Sequence, residues 1–317
     1  MLRKNLFLAI GRISAHLPAV RGRTRIFLEL YKLFGLQKRH VMVDTVLKAP
    51  VPYRASLDLH SWLQKIAFLT GAYEPDLPVF MRKLAKKSGR PGYFLDVGAN
   101  IGLICIPYSL MVKAEPPAGR STGPLAVALE AVPTNFLALK RNAQLNDMDG
   151  PERLLLLPYA VGNVNEQVEI QIEGDLQDGE GTGTANIMAK DSTWQCVRIP
   201  LEVKTIDTLV ASGTMPTGCS VIKIDTDGYD LKVLQGARSF LQTDRPVIFG
   251  EFSAHCMNWH GQSITDVQAY AREIGYSVYR RIPDQWRFVK EAAEPFVQDL
   301  LLVPDEERAN LAEFLAE

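Results

Sequence analysis

An acidic residue followed by two glycines is the arrangement with the clearest chemistry in this sequence. Asp96 ends a short apolar run, and Gly98 and Gly102 follow it four positions apart, with Asn100 between them. Glycine permits tight turns and lets a ligand approach the main chain, and a helix N-terminus offers free N–H groups. The pattern predicts a strand, a turn and a helix start, with a nucleotide-type site at the carboxyl end of the strand.

The spacing of the glycines indicates which ligand fits this turn. The G-x-x-x-G pattern is not the G-x-G-x-x-G of dinucleotide folds, and no Gly-Lys-Ser/Thr follows for a phosphate loop. An acid before such a turn, without a phosphate-binding device, suits a cationic, phosphate-free ligand such as S-adenosylmethionine. A strand–turn–helix connection with incidental glycines is the alternative.

Two later positions extend the predicted cofactor site. Glu130 ends the second predicted strand, where two carboxylate oxygens can accept both hydroxyls of a ribose. Its alternative role is that of an acid ahead of the helix that Pro133 opens. Ala160 follows the third predicted strand and is placed to flank an adenine ring.

A group of acids predicts the acceptor site. Asp225 and Asp227 follow a buried strand, Glu251 closes the next one, and His255 is the best-placed imidazole. Carboxylates crowded at one edge repel one another unless they are paired, protonated or bound to a cation. They can act as a general base, as a clamp for a substrate hydroxyl or as ligands for Mg²⁺ or Ca²⁺, and we favour the metal-free base slightly. His255 can also be structural.

The elements that must position these residues follow from the alternation of apolar runs. Strands are predicted at 93–97, 125–129, 153–157, 221–224 and 246–250, and helices at 101–114, 133–146, 230–241 and 263–274. Alternating strands and helices indicate an α/β fold, with a mostly parallel sheet and crossover helices. The acids at the strand ends are therefore expected to share one crevice.

Three segments depart from this alternation. Residues 1–90 are predicted to form a mainly helical cap, with helices at 58–70 and 77–87, ahead of a catalytic domain at 91–317. A β-hairpin-like insertion is predicted at about 163–204, with a mobile glycine-rich loop at 174–184. At the C-terminus we predict strands at 276–280 and 299–303 and a short helix at 305–316.

Composition and charge narrow the class of protein. The 317 residues carry a formal net charge of -1, so no overall field favours nucleic acid. Four scattered cysteines predict neither a disulfide framework nor a zinc site. No apolar run approaches the length of a transmembrane helix, and we expect a cytoplasmic protein that acts on a small molecule or a glycan. Its oligomeric state is not predictable from the sequence.

The amino end differs from the rest of the chain. Residues 1–40 contain nine Lys and Arg against one acid, interleaved with large apolar residues. A basic amphipathic helix there can lie on an anionic membrane surface. It can equally pack as a cap with a solvated basic face, and this second interpretation is the one we favour.

The motifs together resemble the FkbM family of S-adenosylmethionine-dependent methyltransferases. The resemblance runs in order over about residues 90–303, and its motifs are Phe94–Gly102, Leu129-Glu130 with Pro133 and Asn135, Asn146, Thr205–Leu209, Ile222–Gly228 and Pro246–Glu251. It implies a Rossmann-like class I methyltransferase fold with helices on both faces of the sheet. It also implies mostly O-methylation of sugars or natural-product hydroxyls, with cofactor contacts around Asp96, Gly98, Asn100 and Glu130.

Two positions depart from the family pattern. The family's Asp-x-Glu-Gly-x-Glu is here Asp225-Thr226-Asp227-Gly228-Tyr229-Asp230, and the proline after the ribose-binding glutamate is here Ala131. The family's two glutamates are aspartates here, which keeps their negative charge and shortens their side chains. Neither of the two departures removes a functional group.

The leading prediction is an O-methyltransferase that acts on a hydroxyl of a sugar, glycan, glycolipid or natural product. A nicotinamide-dependent oxidoreductase is one alternative, which the missing G-x-G-x-x-G disfavours. A non-catalytic module that binds S-adenosylmethionine is the other, which the intact acids disfavour.

Overall fold

The computed structural model describes residues 2–15, 23–36, 40–116, 119, 123–173, 185–186, 196–282, 285–290 and 298–316. The α-helices are α1 Leu2–Ser14, α2 Arg23–Leu33, α3 Trp62–Thr70, α4 Asp76–Lys87, α5 Cys105–Ala114, α6 Pro133–Leu145, α7 Ile206–Ala211, α8 Asp230–Gly236, α9 Arg238–Asp244, α10 Ala254–Asn258 and α11 Ile264–Glu273. The strands are β1 Met42–Leu47, β2 Tyr53–Asp58, β3 Tyr93–Val97, β4 Ala126–Leu129, β5 Leu154–Leu157, β6 Ala160–Val161, β7 Glu166–Glu173, β8 Ala185–Asn186, β9 Cys196–Lys204, β10 Cys219–Ile224, β11 Val247–Phe252, β12 Tyr276–Arg281, β13 Phe288–Lys290, β14 Gln298–Pro304 and β15 Leu315–Ala316.

A nine-stranded sheet forms the centre of the fold, in the order β15-β13-β12-β14-β11-β10-β3-β4-β5. Strands β5, β4, β3, β10 and β11 are parallel, and β14 enters antiparallel between β11 and β12. The chain leaves β3 toward β4 and β5 and later returns to place β10 on the other side of β3. This reversal is the topological switch point at which open α/β sheets bind ligands.

Alternate residues of the central strands supply two separate cores. Phe94 and Val221 face one side of the sheet, where they pack in the same cluster as residues of α4, α5 and α6. Leu95 and Ile222 face the other side, with residues of α7, α8, α9 and α11. Because both faces are covered, the strands read as continuous apolar runs, as expected for buried parallel strands.

The amino-terminal segment packs onto the first of these cores. Its helices were predicted, but the antiparallel pair β1–β2 was not. Buried Val43 and Leu47 alternate with exposed Met42 and Val46, which is a period-two signal for a half-buried strand. The segment is therefore a mixed helix and hairpin layer, and it shares one cluster with the sheet residue Phe94.

The insertion forms a second sheet in the order β6-β9-β7-β8. Strands β7 and β9 pair antiparallel from Glu166 opposite Val203 to Glu173 opposite Cys196, as the alternation predicted. Ile170 and Leu201 of this hairpin pack with Val132. The predicted mobile loop at 174–184 lies outside the described residues.

Two predicted helices differ from the structure. The helix predicted at 230–241 is two helices, α8 and α9, which are separated by the non-helical Ala237 at φ -108° and ψ 14°. At Gly236, the last residue of α8, a Cβ would collide with the carbonyl oxygen of Gly162. The helix predicted at 305–316 is wrong: the segment begins with a 3₁₀ turn, Asp305–Glu307, and ends in β15. Arg90 Nε donates to Glu307 Oε1 at 3.0 Å, and β15 pairs with β13. These tertiary contacts outweigh local helix propensity.

Candidate active site

A cleft of about 290 Å³ opens at the carboxyl ends of β3, β4 and β10, at the switch point. Its floor is the turn after β3, and its sides come from the residues after β4, from the hairpin and from the turn after β10. Residues of the amino-terminal segment close it from above, among them Leu63 and Tyr73.

The turn after β3 depends on Gly98. Its φ angle is 80°, and a Cβ there would collide with the carbonyl oxygen of Asp225. Asn100 also adopts a left-handed conformation, with φ 50°, which asparagine tolerates better than most residues. The close approach holds the turn against the next strand, where Asp225 N–H donates to the carbonyl of Val97 at 3.1 Å.

Glu130 joins this turn to the start of α6. Its Oε2 accepts from Asn100 N–H at 2.7 Å, and its Oε1 accepts from Val132 N–H at 2.8 Å. Burial raises the pKa of Glu130 to about 7, although these two amides lower it. Each carboxylate oxygen keeps a second lone pair. Glu130 therefore fixes the shape of the turn, and it lines the cleft beside the Asn135 side chain, which also lowers its pKa.

Two amide oxygens in the cleft lack a protein partner. Asn100 Oδ1 and Asn135 Oδ1 are buried, and neither accepts a hydrogen bond from the described residues. A buried acceptor left unpaired costs free energy, so both are ready to accept from a ligand. Beside them, Val132, Ala160 and Leu201 form an apolar wall of the cleft that suits a flat aromatic ring.

Lys223 is the cation at the centre of the site. Its Nζ lies 3.4 Å from Asp96 Oδ1, 3.3 Å from Asp225 Oδ2 and 3.4 Å from the carbonyl oxygen of Gly98. Burial alone would lower the pKa of Lys223, but the charges of Asp225 and Asp96 outweigh burial and raise it. Lys223 therefore stays an ammonium, and it compensates the fully buried Asp96.

The loop after β10 is held by Asp230. Its Oδ1 accepts from Thr226 N–H at 3.0 Å and from the Thr226 hydroxyl at 2.7 Å, and its Oδ2 accepts from Gly228 N–H at 3.0 Å. Asp227 lies within this loop at φ 51° and lines the cleft. Burial, with the charges of Asp225 and Asp230, raises the pKa of Asp227 to about 7.

A second cleft of about 230 Å³ adjoins the first. The two share Glu74, Lys223, Asp225 and Glu251, which we call the junction. Loss of hydration, and then the charges of Asp225, Asp299 and Glu74, raises the pKa of Glu251 to about 7. The same loss of hydration raises the pKa of Glu74. The junction thus holds three carboxyl groups around one ammonium.

The structure brings most of the predicted site residues together. Gly98, Asn100, Glu130, Ala160, Asp225, Asp227 and Glu251 all line the first cleft. Strands β3, β10 and β11 are neighbours in the sheet, which confirms that the acids at their ends converge.

Three predicted residues lie elsewhere. Asp96 is fully buried beneath Lys223 and does not line the cleft, because its side chain points back between the strands toward that ammonium. At Gly102, a Cβ would crowd Leu139 and Ile106, so this glycine serves packing under the turn. His255 is exposed on α10, with its ring 4.9 Å from that of Trp259, and lines neither cleft.

The sequence analysis missed four cleft residues. Lys223 and Asn135 both belong to the motifs that carry the family resemblance, but the sequence alone assigned neither of them a function. Tyr73 and Glu74 belong to the amino-terminal segment, where no local signal marks them. No group of three or more His, Cys, Asp or Glu side chains in the described ranges is arranged to hold a metal ion.

The family comparison agrees with the site. The model of the methyltransferase FkbM domain matches residues 96–278, which is more than half of the chain. The chain belongs to the FkbM family of methyltransferases, so the resemblance carried by the sequence motifs is confirmed. This assignment favours S-adenosylmethionine as the cofactor and argues against the oxidoreductase alternative. No curated protein matches the chain at a significant level.

Solved structures with a similar fold share little sequence with this chain. The methyltransferase FkbM from Methylobacillus flagellatus KT is 14% identical, with a TM-score of 0.40 and coverage of 93% of this chain. This chain spans 58% of that protein's chain. M. jannaschii TYW2, in complex with AdoMet, is 16% identical, with a TM-score of 0.35, and the match covers 83% of this chain and 86% of that protein's chain. An O-methyltransferase from Bacillus cereus, in complex with SAH, is 10% identical, with a TM-score of 0.37, and the match covers 73% of this chain and 80% of that protein's chain.

Proposed function

We propose that this protein transfers a methyl group from S-adenosylmethionine to a hydroxyl of a sugar, glycan, glycolipid or natural product. The observation that carries the proposal is the junction, where carboxylates of three separate segments meet between two adjoining clefts. One cleft fits the cofactor, and the other is free to hold an acceptor whose hydroxyl reaches the shared carboxylates.

The first cleft fits S-adenosylmethionine in its chemistry. Glu130 lines the cleft, and its carboxylate can accept from a ribose diol with the lone pairs that the two amides leave, while the apolar wall beside Ala160 suits an adenine ring. Asn100 Oδ1 and Asn135 Oδ1 offer unpaired acceptors to the donor groups of the ligand. The acids around the junction favour a ligand that carries a positive charge. The cofactor supplies an activated methyl group, so the protein has to position the acceptor and remove its proton.

Glu251 and Asp227 are the side chains best suited to take that proton. Each has a pKa of about 7, so at neutral pH a substantial fraction is ionised and able to accept a proton. The charge of Asp225 raises the pKa of both groups, and Asp225 is itself paired with Lys223 at 3.3 Å. We assign Asp225 the role of orienting the acceptor hydroxyl, because a carboxylate held by an ammonium keeps a fixed position and remains a hydrogen-bond acceptor.

The second cleft favours a neutral or cationic acceptor that is rich in hydroxyls. Its lining includes five acids, Glu74, Asp76, Asp225, Glu251 and Asp299, against the two bases Lys223 and Arg281. Arg281 is already engaged, since its Nη1 lies 2.7 Å from Asp299 Oδ2. Ionised carboxylates only accept hydrogen bonds, so they pair with hydroxyl donors and repel anions.

The proposal is tested by following the label from S-adenosylmethionine that carries a deuterated methyl group. The purified protein is incubated with glycan, lipid and small-molecule fractions, and labelled products are analysed by mass spectrometry and NMR. We expect the label on an oxygen atom of the product, and we expect formation of this product to depend on Glu251. A label on nitrogen or carbon would contradict O-methylation. Calorimetric binding of the cofactor without transfer to any fraction would support the non-catalytic alternative.

A further inference from the structure

The two amino-terminal helices expose the same pattern of residues. The exposed positions of α1 are Asn5, Leu6, Ala9, Arg12 and Ile13, and those of α2 are Arg25, Ile26, Glu29, Lys32 and Leu33. In both helices these positions are i, i+1, i+4, i+7 and i+8, which lie on one side of an α-helix. Each outer side therefore carries two large aliphatic residues seven positions apart, with basic residues beside them.

The inner sides of both helices are firmly packed. The rings of Phe7 and Tyr31 meet edge to face at 5.2 Å, and the Ser14 hydroxyl donates to the carbonyl of Leu69 at 2.9 Å. A Cβ at Gly11 would collide with the ring of Phe68. Both helices are therefore already packed against the rest of the protein, and their aliphatic residues remain exposed on the opposite side.

The exposure of these aliphatic side chains is large. Leu6 is 49% exposed, Ile13 and Ile26 are each 63% exposed, and Leu33 is 73% exposed. Four of the ten exposed large hydrophobic residues in the described part of the chain lie on these two helices. Such a concentration marks an interaction surface, whereas scattered single residues do not.

Charge separates this surface from the rest of the protein. Residues 1–40 hold nine Lys and Arg against one acid, while the remainder holds 26 Lys and Arg against 35 acids. Arg12 and Arg25 have no carboxylate within salt-bridge distance among the described side chains, and Lys32 pairs only with Glu29, at 3.0 Å. On the described outer sides, Arg12, Arg25 and Lys32 stand against Glu29, so this surface is positive on a protein whose remainder is negative.

We propose that the outer sides of α1 and α2, which we call the basic–apolar face, dock on an anionic membrane surface. Leu6, Ile13, Ile26 and Leu33 enter the interfacial region, and the flanking Arg and Lys contact acidic headgroups, as in helices that lie in the membrane plane. No helix within the described ranges is long and apolar enough to cross a membrane. A second copy of the chain is disfavoured as the occupant, because two positive faces repel each other.

Liposome flotation of the full chain tests this proposal, with vesicles of phosphatidylcholine alone and of phosphatidylcholine mixed with phosphatidylglycerol. We expect flotation only with the mixed vesicles, and weaker flotation as salt rises. The apolar variant carries Leu6→Gln, Ile13→Gln, Ile26→Gln and Leu33→Gln, and the charge variant carries Arg12→Gln, Arg25→Gln and Lys32→Gln. The loss of three basic residues should weaken partitioning by about 10²-fold.

The matched control carries Leu137→Gln and Val164→Gln, which change aliphatic residues that are 65% and 47% exposed outside both clefts. It should float like the unchanged protein, and retained binding of S-adenosylmethionine shows that every variant is folded. Equal flotation of all proteins would overturn the proposal, as would failure of the unchanged protein to bind mixed vesicles. A dimer in light scattering that only the apolar variant disperses would assign the face to self-association and overturn it as well.

Discussion

The donor side of the cleft and the junction hold their carboxylates in different ways. On the donor side, the two oxygens of Glu130 accept from two backbone amides at 2.7 and 2.8 Å. At the junction, Asp225 and Glu251 accept no hydrogen bond from a described backbone amide, and Lys223 is the cation they share. The donor side is thus ordered by its own main chain, and the junction by charge.

This difference separates a binding surface from a reactive one. Backbone amides do not titrate, and the two amides that donate to Glu130 belong to the turn after β3 and the residue before α6, so they hold the Glu130 carboxylate in one position. Burial raises the pKa of Glu130 and of Glu251 alike to about 7, but the oxygens of Glu130 accept from two amides, whereas the Glu251 carboxylate accepts no hydrogen bond from the described residues and is free to take a proton at neutral pH. The donor side is therefore the rigid part of the cleft, and the junction on the opposite side is the part suited to react.

Asp225→Asn tests the contrast most strongly. The variant keeps the shape of the side chain and removes its charge, so the acceptor hydroxyl loses the carboxylate that orients it, and Glu251 and Asp227 lose a charge that raises their pKa values. We expect methyl transfer to fall by about 10²–10⁴-fold. Cofactor affinity should fall much less than methyl transfer, because the hydrogen bonds that hold Glu130 on the donor side do not involve the Asp225 side chain. The rate at which the deuterated methyl group passes from S-adenosylmethionine to the acceptor measures the first effect, and calorimetry with S-adenosylmethionine measures the second. Asp44→Asn, at an exposed carboxylate outside both clefts, is the control. Full activity of Asp225→Asn would make the junction carboxylates structural.

Lys223→Met should reduce stability. The substitution leaves Asp96 buried at 0% exposure without its cation, which costs about 3–5 kcal/mol of unfolding free energy. Denaturant unfolding measures this loss of stability. The control Lys140→Met, at an exposed position of α6, should change the free energy of unfolding very little. The double variant Lys223→Met/Asp96→Asn should recover part of the stability, since no buried charge remains unpaired. Equal stability of Lys223→Met and the unchanged protein would show that Asp96 does not depend on this ammonium.

Glu130→Ala sharpens the donor side of the comparison. The variant removes both acceptors for the ribose and the anchors of Asn100 and Val132, so we expect S-adenosylmethionine to bind about 1–3 kcal/mol more weakly. Calorimetry on the folded variant measures this loss. Glu152→Ala, at an exposed residue, is the matched control. Unchanged affinity would remove Glu130 from the cofactor site.

Asp227→Asn has the smallest expected effect on stability, and the dependence of that effect on pH reveals it. Burial raises the pKa of Asp227 from 3.8 to about 7, so between these values the native state binds more protons than the unfolded state. The contribution of Asp227 to stability therefore falls as pH rises through this window. Asparagine keeps the left-handed backbone and cannot ionise.

The free energy of unfolding of this variant, relative to the unchanged protein, should be higher at pH 8 than at pH 4. We expect a difference of about 1 kcal/mol, with allowance for solvent screening at a partly exposed group. Denaturation at the two pH values measures it. A relative stability that is independent of pH would show that Asp227 ionises as freely in the folded protein as in the unfolded chain.

Local patterns were sufficient for the donor side and for most of the sheet. Asp96, Gly98 and Glu130 stand next to the apolar runs that form β3 and β4, so the strands carry them to one edge. The acids at the ends of β10 and β11 predicted that these strands are adjacent, and the sheet pairs β11 with β10 and β10 with β3. The prediction went wrong where distant contacts act, as at 305–316, where pairing with β13 and ion pairs to Glu306 and Glu307 replace a helix.

The sequence by itself determined the family, the parallel sheet and the turn that fits the cofactor, because these depend on residues that are close in the chain. Only the tertiary structure decided how the junction is built. Glu74, Lys223 and Glu251 come from three distant segments, and no local pattern reports that one ammonium serves several acids. The tertiary structure also turned Asp96 away from the cleft, since a buried carboxylate must lie where a cation can compensate it.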